Sequence, residues 1–135
     1  MRDTDWLLAE AHALRERGEA ALARTLYEEA LETARAAQDA EALAKTLRHT
    51  SDMDREAGRP EAALAAAEEA ATLYGALGRE HRLDLANALR LTALALEALD
   101  RPALQPWREA GDIYAELDIA AGLAEAERHL GLVGD

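Results

Sequence analysis

The run from Leu43 to Pro60, LAKTLRHTSDMDREAGRP, returns 42 residues later as LANALRLTALALEALDRP from Leu85 to Pro102. A chain made of copies of one unit cannot fold each copy alone, because a single copy leaves its apolar face uncovered. Neighbouring copies must stack, and such a stack offers an extended surface rather than a closed pocket. Repetition therefore narrows this chain to a scaffold before any single residue is considered.

The repeated unit is helical. Alanine and leucine dominate, phenylalanine is absent, and Ile113, Ile119 and Val133 are the only isoleucine or valine positions, so helix propensity is high almost throughout. Gly18, Gly58, Pro60, Gly78, Pro102 and Pro106 punctuate the sequence at intervals suited to helices of about four turns. The breaks predict seven helices, near 4–17, 20–37, 40–57, 61–77, 82–99, 103–117 and 119–131. Their connections are short enough to make neighbours antiparallel. In the third helix Leu43, Leu47, Thr50 and Ala57 share one stripe, as do Leu85, Leu89, Thr92, Leu96 and Leu99 in the fifth, the spacing of a buried face. Asp118 is read as the N-cap of the last helix, its carboxylate accepting from free backbone amides.

Composition excludes several classes of function. A length of 135 residues suits one domain, residues 1–135, burying roughly two-thirds of its unfolded surface. Cysteine is absent, which removes disulfides, thiolate metal sites and a nucleophilic thiol, and agrees with a reducing cytoplasm. No apolar run approaches the roughly 20 residues needed to span a bilayer, and the charged start reads as no leader; the expectation is a soluble, unprocessed protein without a membrane partner. A net charge of −12 repels phosphate backbones and argues against nucleic acid as a partner.

The second helix of each pair carries its own echo. Ala23, Tyr27 and Ala30 recur after 40 residues as Ala63, Ala67 and Ala70, and after 40 more as Ala103, Trp107 and Ala110. Small residues at the first and third places permit close helix approach, and a ring between them fills the gap to the next pair. With Gly18 and Gly58 in the turns, this pattern resembles the tetratricopeptide repeat, most typically in GRPEAALAAAEEAATLY from Gly58 to Tyr74. The period of 40 to 42 residues exceeds the roughly 34 of the common form and is similar to the long-helix variants of kinesin light chains and many bacterial regulators. The sequence departs from the pattern at Ala67, where a ring is expected, at Ser51 and Ala93, where the first helix often has glycine, and at Pro106 in the sixth helix. The resemblance implies an all-α, antiparallel helix-pair, right-handed superhelical solenoid. It would hold about three repeats, 4–37, 40–77 and 82–117, and a terminal helix, 119–131.

The same resemblance implies that the first helix of each pair lines a concave groove. Lys45, Arg48 and His49 then align with Asn87, Arg90 and Leu91, and with Glu125, Arg128 and His129. Arg48, Arg90 and Arg128 would form a ladder along the groove, extended by His12, Arg15 and Arg55. Guanidinium groups suit carboxylates through bidentate, charge-assisted contacts. The expected site is thus Lys45, Arg48, His49, Asn87, Arg90 and Arg128, reading an acidic peptide segment or a polypeptide C-terminus. The bland alternative is that these arginines pair with carboxylates on neighbouring helices. The lysine, asparagine and arginine set of the chaperone-binding carboxylate clamp is not reproduced as a unit. Glu28, Glu29, Glu32, Glu68, Glu69, Glu109, Asp112 and Glu116 fall on the second helices and would form a negative outer shell.

Asp54 breaks the pattern, since its counterparts Leu14 and Leu96 lie on the apolar stripe. A buried carboxylate requires a partner, so an ion pair with an arginine or a frayed helix end is expected there. No phosphate loop, GxSxG elbow or HExxH pair is present, and His49 with Asp52 or His81 with Asp84 supplies only two ligands of a metal site. The protein is therefore read as a non-enzymatic scaffold with a protein or peptide partner, no cofactor and no metal. The other class in play is a self-assembling module, a homo-oligomer joined through the terminal helix and its Leu123, Leu130, Leu132 and Val133.

Overall fold

A computed structural model describes residues 3–132; Val133 lies outside them. Among the described residues the protein forms seven α-helices and no strand. They are α1 (Thr4–Glu16), α2 (Ala20–Ala37), α3 (Ala40–Glu56), α4 (Pro60–Leu77), α5 (Arg82–Ala98), α6 (Leu104–Glu116) and α7 (Ala120–Leu130). A single 3-10 turn, Arg79–His81, precedes α5. The helices start and stop where local chemistry dictates. Asp3 and Asp39 cap α1 and α3 by accepting from the amides of Trp6 and Ala42. Pro60 occupies the start of α4 and Pro106 the first turn of α6, where a missing N–H costs nothing.

Most of the helix ends follow one rule. At Gly18, Gly58, Asp100 and Asp118 the backbone turns left-handed. The next residue then donates back to a carbonyl in the last helical turn: Glu19 to Leu14 at 2.9 Å, Arg59 to Asp54 at 2.8 Å, Arg101 to Leu96 at 2.9 Å and Ile119 to Tyr114 at 2.8 Å. Asp118 is therefore the stop of α6, with φ of 57°, and not the N-cap of α7. Ile119 stands at that cap and offers no side-chain bond. A carboxylate next to a helix start suits either role in sequence; the left-handed backbone here settles it.

Each helix packs on the next in sequence, while α1 with α3 and α3 with α5 also touch. Helices α1, α3 and α5 thus adjoin along one face. The core lies between successive helices. Ala23, Tyr27, Ala30, Ala63, Ala67, Ala70, Ala103, Trp107 and Ala110 are all buried, as small-residue approach and ring filling demand. Ser51 donates to the Ala63 carbonyl at 2.7 Å, tying α3 to α4 where the backbones come close. The expected leucine stripe of α5 is only half-buried, whereas Ala86, Ala88, Leu91, Thr92, Ala93 and Ala95 are buried. Helix α5 touches α3, α4 and α6, so its buried surface wraps around it. In α3, Leu43, Leu47 and Thr50 are buried, but Ala57 is exposed at the helix end.

Candidate functional site

The face shared by α1, α3, α5 and α7 carries three adjoining depressions. The central one, about 310 Å³, is lined by Arg48, His49, Asp52, Asn87, Arg90 and Leu91. Toward α1 it meets a second through His49 and Asp52, and toward α7 a third through Asn87 and Arg90. Five of the residues expected from sequence fall here: Arg48, His49, Asn87 and Arg90 in the centre and Arg128 in the α7 depression. Lys45 stands exposed on α3, outside these linings.

The arginines differ in what they already hold. Arg90 grips Glu125 of α7 with two nitrogens, Nε to Oε1 and Nη2 to Oε2. That pairing outweighs burial in raising the Arg90 pKa, and it lowers the Glu125 pKa. Arg15 lies 3.1 Å from Asp52 and 2.8 Å from Glu56, and Arg55 lies 2.6 Å from Asp52. Burial opposes the charge on Arg15, but the bonds to Glu56 and Asp52 more than restore it and raise its pKa. Arg90 and Arg15 are thus paired with carboxylates across helices, and Arg55 with one on its own helix, although the buried Arg55 Nε has no hydrogen-bond acceptor.

Arg48 and Arg128 stand apart in having no carboxylate partner among the described residues, Arg128 exposed and Arg48 half-buried. Among the described residues no carboxylate lies within 4.0 Å of Arg48, and its buried Nε has no hydrogen-bond acceptor. Repeat register explains the difference. Arg90 meets Glu125, and the place of Glu125 on α7 corresponds to Asn87 on α5, the helix next to Arg48. Asn87 carries no charge, and its Oδ1 already accepts from the Tyr114 hydroxyl at 2.7 Å. Arg48 and the Asn87 amide nitrogen are thus donors facing a place that has no anion.

His49 closes the centre. Burial, followed by the charges of Arg48, Lys45, Arg15 and His12, lowers its pKa to about 4. The neutral ring stacks near-parallel to Tyr27, centroids 6.0 Å apart. A row of tyrosines backs the arginines, and its 40-residue step from Tyr74 to Tyr114 is the sequence signal for residues the groove reading missed. Burial raises the pKa of Tyr27, Tyr74 and Tyr114, offset by Arg15, Arg48 and Arg90 respectively. In each case the charge offsetting burial belongs to an arginine of an odd-numbered helix.

Outside this face, Arg24 Nη2 of α2 lies 2.8 Å from Asp54 Oδ1. The two meet as charges, without the angle of a hydrogen bond. Asp54 is 8% exposed, so an interhelical ion pair, not a frayed end, accommodates the carboxylate that replaces leucine. The acids of the even-numbered helices are exposed or half-buried; Arg35 with Glu69 and Arg82 with Glu116 form bidentate outer pairs. His81 bonds Asp84 at 3.1 Å, and among the described residues no group of three His, Asp or Glu side chains is placed to hold a metal ion. No helix among them is long and apolar enough to cross a membrane. Compared with known protein families and with curated proteins, the sequence matches no family model and no curated sequence.

Proposed function

We propose that this protein is a non-enzymatic interaction scaffold of the cytoplasm, in which tetratricopeptide-like helix pairs stack with a right-handed twist. The face of α1, α3, α5 and α7 holds an acidic peptide segment or the C-terminus of a protein partner. Arg48 is the observation that carries this reading: a half-buried guanidinium without a carboxylate partner, flanked by a neutral His49 and the amide of Asn87 in a shared depression. Burying part of a cation without a counter-ion costs free energy, and an incoming carboxylate recovers it through a charge-assisted, bidentate contact. The net charge of −12 opposes anions in general, so binding requires the anion to reach this spot.

The test is a pull-down from the source cell lysate at moderate salt, with the natural protein beside a folded Arg48→Glu variant. A partner retained by the natural protein should be held more than about tenfold less by the variant, the size expected when a charge pair turns repulsive. Equal retention would remove the groove from the function. A second reading, self-assembly through the C-terminal end, draws on the exposed Leu104, Leu117 and Leu132; recovery of the protein alone would favour it.

A further inference from the structure

We propose that Glu125 is an internal stand-in for the ligand, so that α7 occupies the Arg90 subsite until an acidic partner displaces it. This inference rests on the groove reading above and adds its regulation. Three observations lead to it. Arg90 and Arg48 occupy the same register on successive odd helices, and Asn87 and Arg90 line both the central depression and the one toward α7. The Arg90 fork is filled in bidentate fashion by a carboxylate from an element 35 residues away in sequence. The Arg48 fork has no such carboxylate. A glutamate side chain gripping one arginine of the pair displays, within the molecule, the chemistry that the other lacks.

The element carrying Glu125 is suited to yield. Helix α7 is the shortest of the seven described, 11 residues, packs chiefly on α6, and has Ala126 as its only buried residue. Its remaining polar fastenings run through His129, whose Nδ1 lies 2.8 Å from Glu97 Oε2 and whose ring stacks on Trp107 at 4.2 Å. A partner with two acidic groups in sequence would take Arg48 directly and Arg90 by exchange with Glu125. The freed glutamate would return to water, and the exchange would loosen α7. Competition of this form sets a threshold: an isolated anion gains only the Arg48 contact, while a run of acids gains both.

The probe is a fluorescein-labelled tetraglutamate peptide, titrated at low ionic strength by anisotropy, with tetraglutamine as the blank. Glu125→Gln should tighten binding about tenfold, a common size for coupling of this kind, and adding Arg90→Gln should cancel the gain. Glu127→Gln removes the same charge from the same helix without freeing Arg90, so it should change affinity by less than about twofold. Equal tightening by Glu127→Gln would overturn the inference in favour of bulk charge. Unchanged affinity in Glu125→Gln, with Arg48→Gln still weakening binding, would overturn it and leave the groove reading standing. Peptide binding indifferent to Arg48, or none by any form, would remove both. On the natural protein, saturating peptide should speed amide exchange across 120–130; unchanged or stronger protection there would also overturn the displacement.

Discussion

His49 shows how one residue can be legible as a position and not as a state. Its register beside Arg48 is plain in the repeat, but its burial and the cations around it, which lower its pKa to about 4, depend on three-dimensional neighbours. The unfolded chain protonates this histidine below about pH 6.5, whereas the folded protein refuses the proton until about pH 4. Between these values the unfolded state binds more protons at this site, so the contribution of His49 makes stability fall as pH drops through that window and adds no slope above it. Urea midpoints measured from pH 8 to 4 should trace this decline, and His49→Gln should flatten it between about 6.5 and 4. Asp52, where Arg55 and Arg15 outweigh the opposing effect of burial, and Glu125, bonded to Arg90, have lowered pKa values, so their contribution begins to fall in the ordinary carboxylate range and is lost as pH drops through their folded values. The pairing of Arg90 with Glu125 is illegible in sequence for the same reason as the state of His49. Both ends are visible as aligned positions, but contact between α5 and α7 depends on packing that no periodicity encodes.

Helices, by contrast, are legible almost to the residue. Their ends fall where glycine, proline and capping aspartates interrupt an alanine- and leucine-rich sequence, and those signals are local. The misreadings arise where one residue type serves two local purposes, as at Asp118, or where a short element has no periodicity, as in the 3-10 turn at Arg79–His81. Docking of α7 on α6 turns on a close approach that local signals do not disclose. A methyl group at Gly122 would lie 2.6 Å from the Tyr114 ring, inside any tolerable contact. Gly122→Ala should therefore displace Tyr114 or α7 and cost about 1–3 kcal/mol, the usual penalty of overpacking, read as a lowered denaturation midpoint. Because the Tyr114 hydroxyl also holds Asn87, the same variant should disturb the groove from behind.

Across the whole molecule the core is divided rather than central. One cluster joins α1, α2 and Met53, another spans α2 to α5, and others link α5 with α6 and α7. Such a divided core predicts that stability accumulates through nearest-neighbour interfaces and that, in this span, the helices with the fewest neighbours open most readily. Native-state amide exchange should be slowest in α3 to α5 and fastest in α1 and α7; uniform protection would mean that the stack opens as one unit. The sandwich of Trp107 and His129 gives this behaviour an optical handle. Trp107 is wholly buried, while Trp6 is 44% exposed. Undocking α7 would strip an imidazole from the face of one indole and leave the other unchanged. The protein thus carries its own fluorophore at the joint between α6 and α7, and its emission can follow that joint without a label.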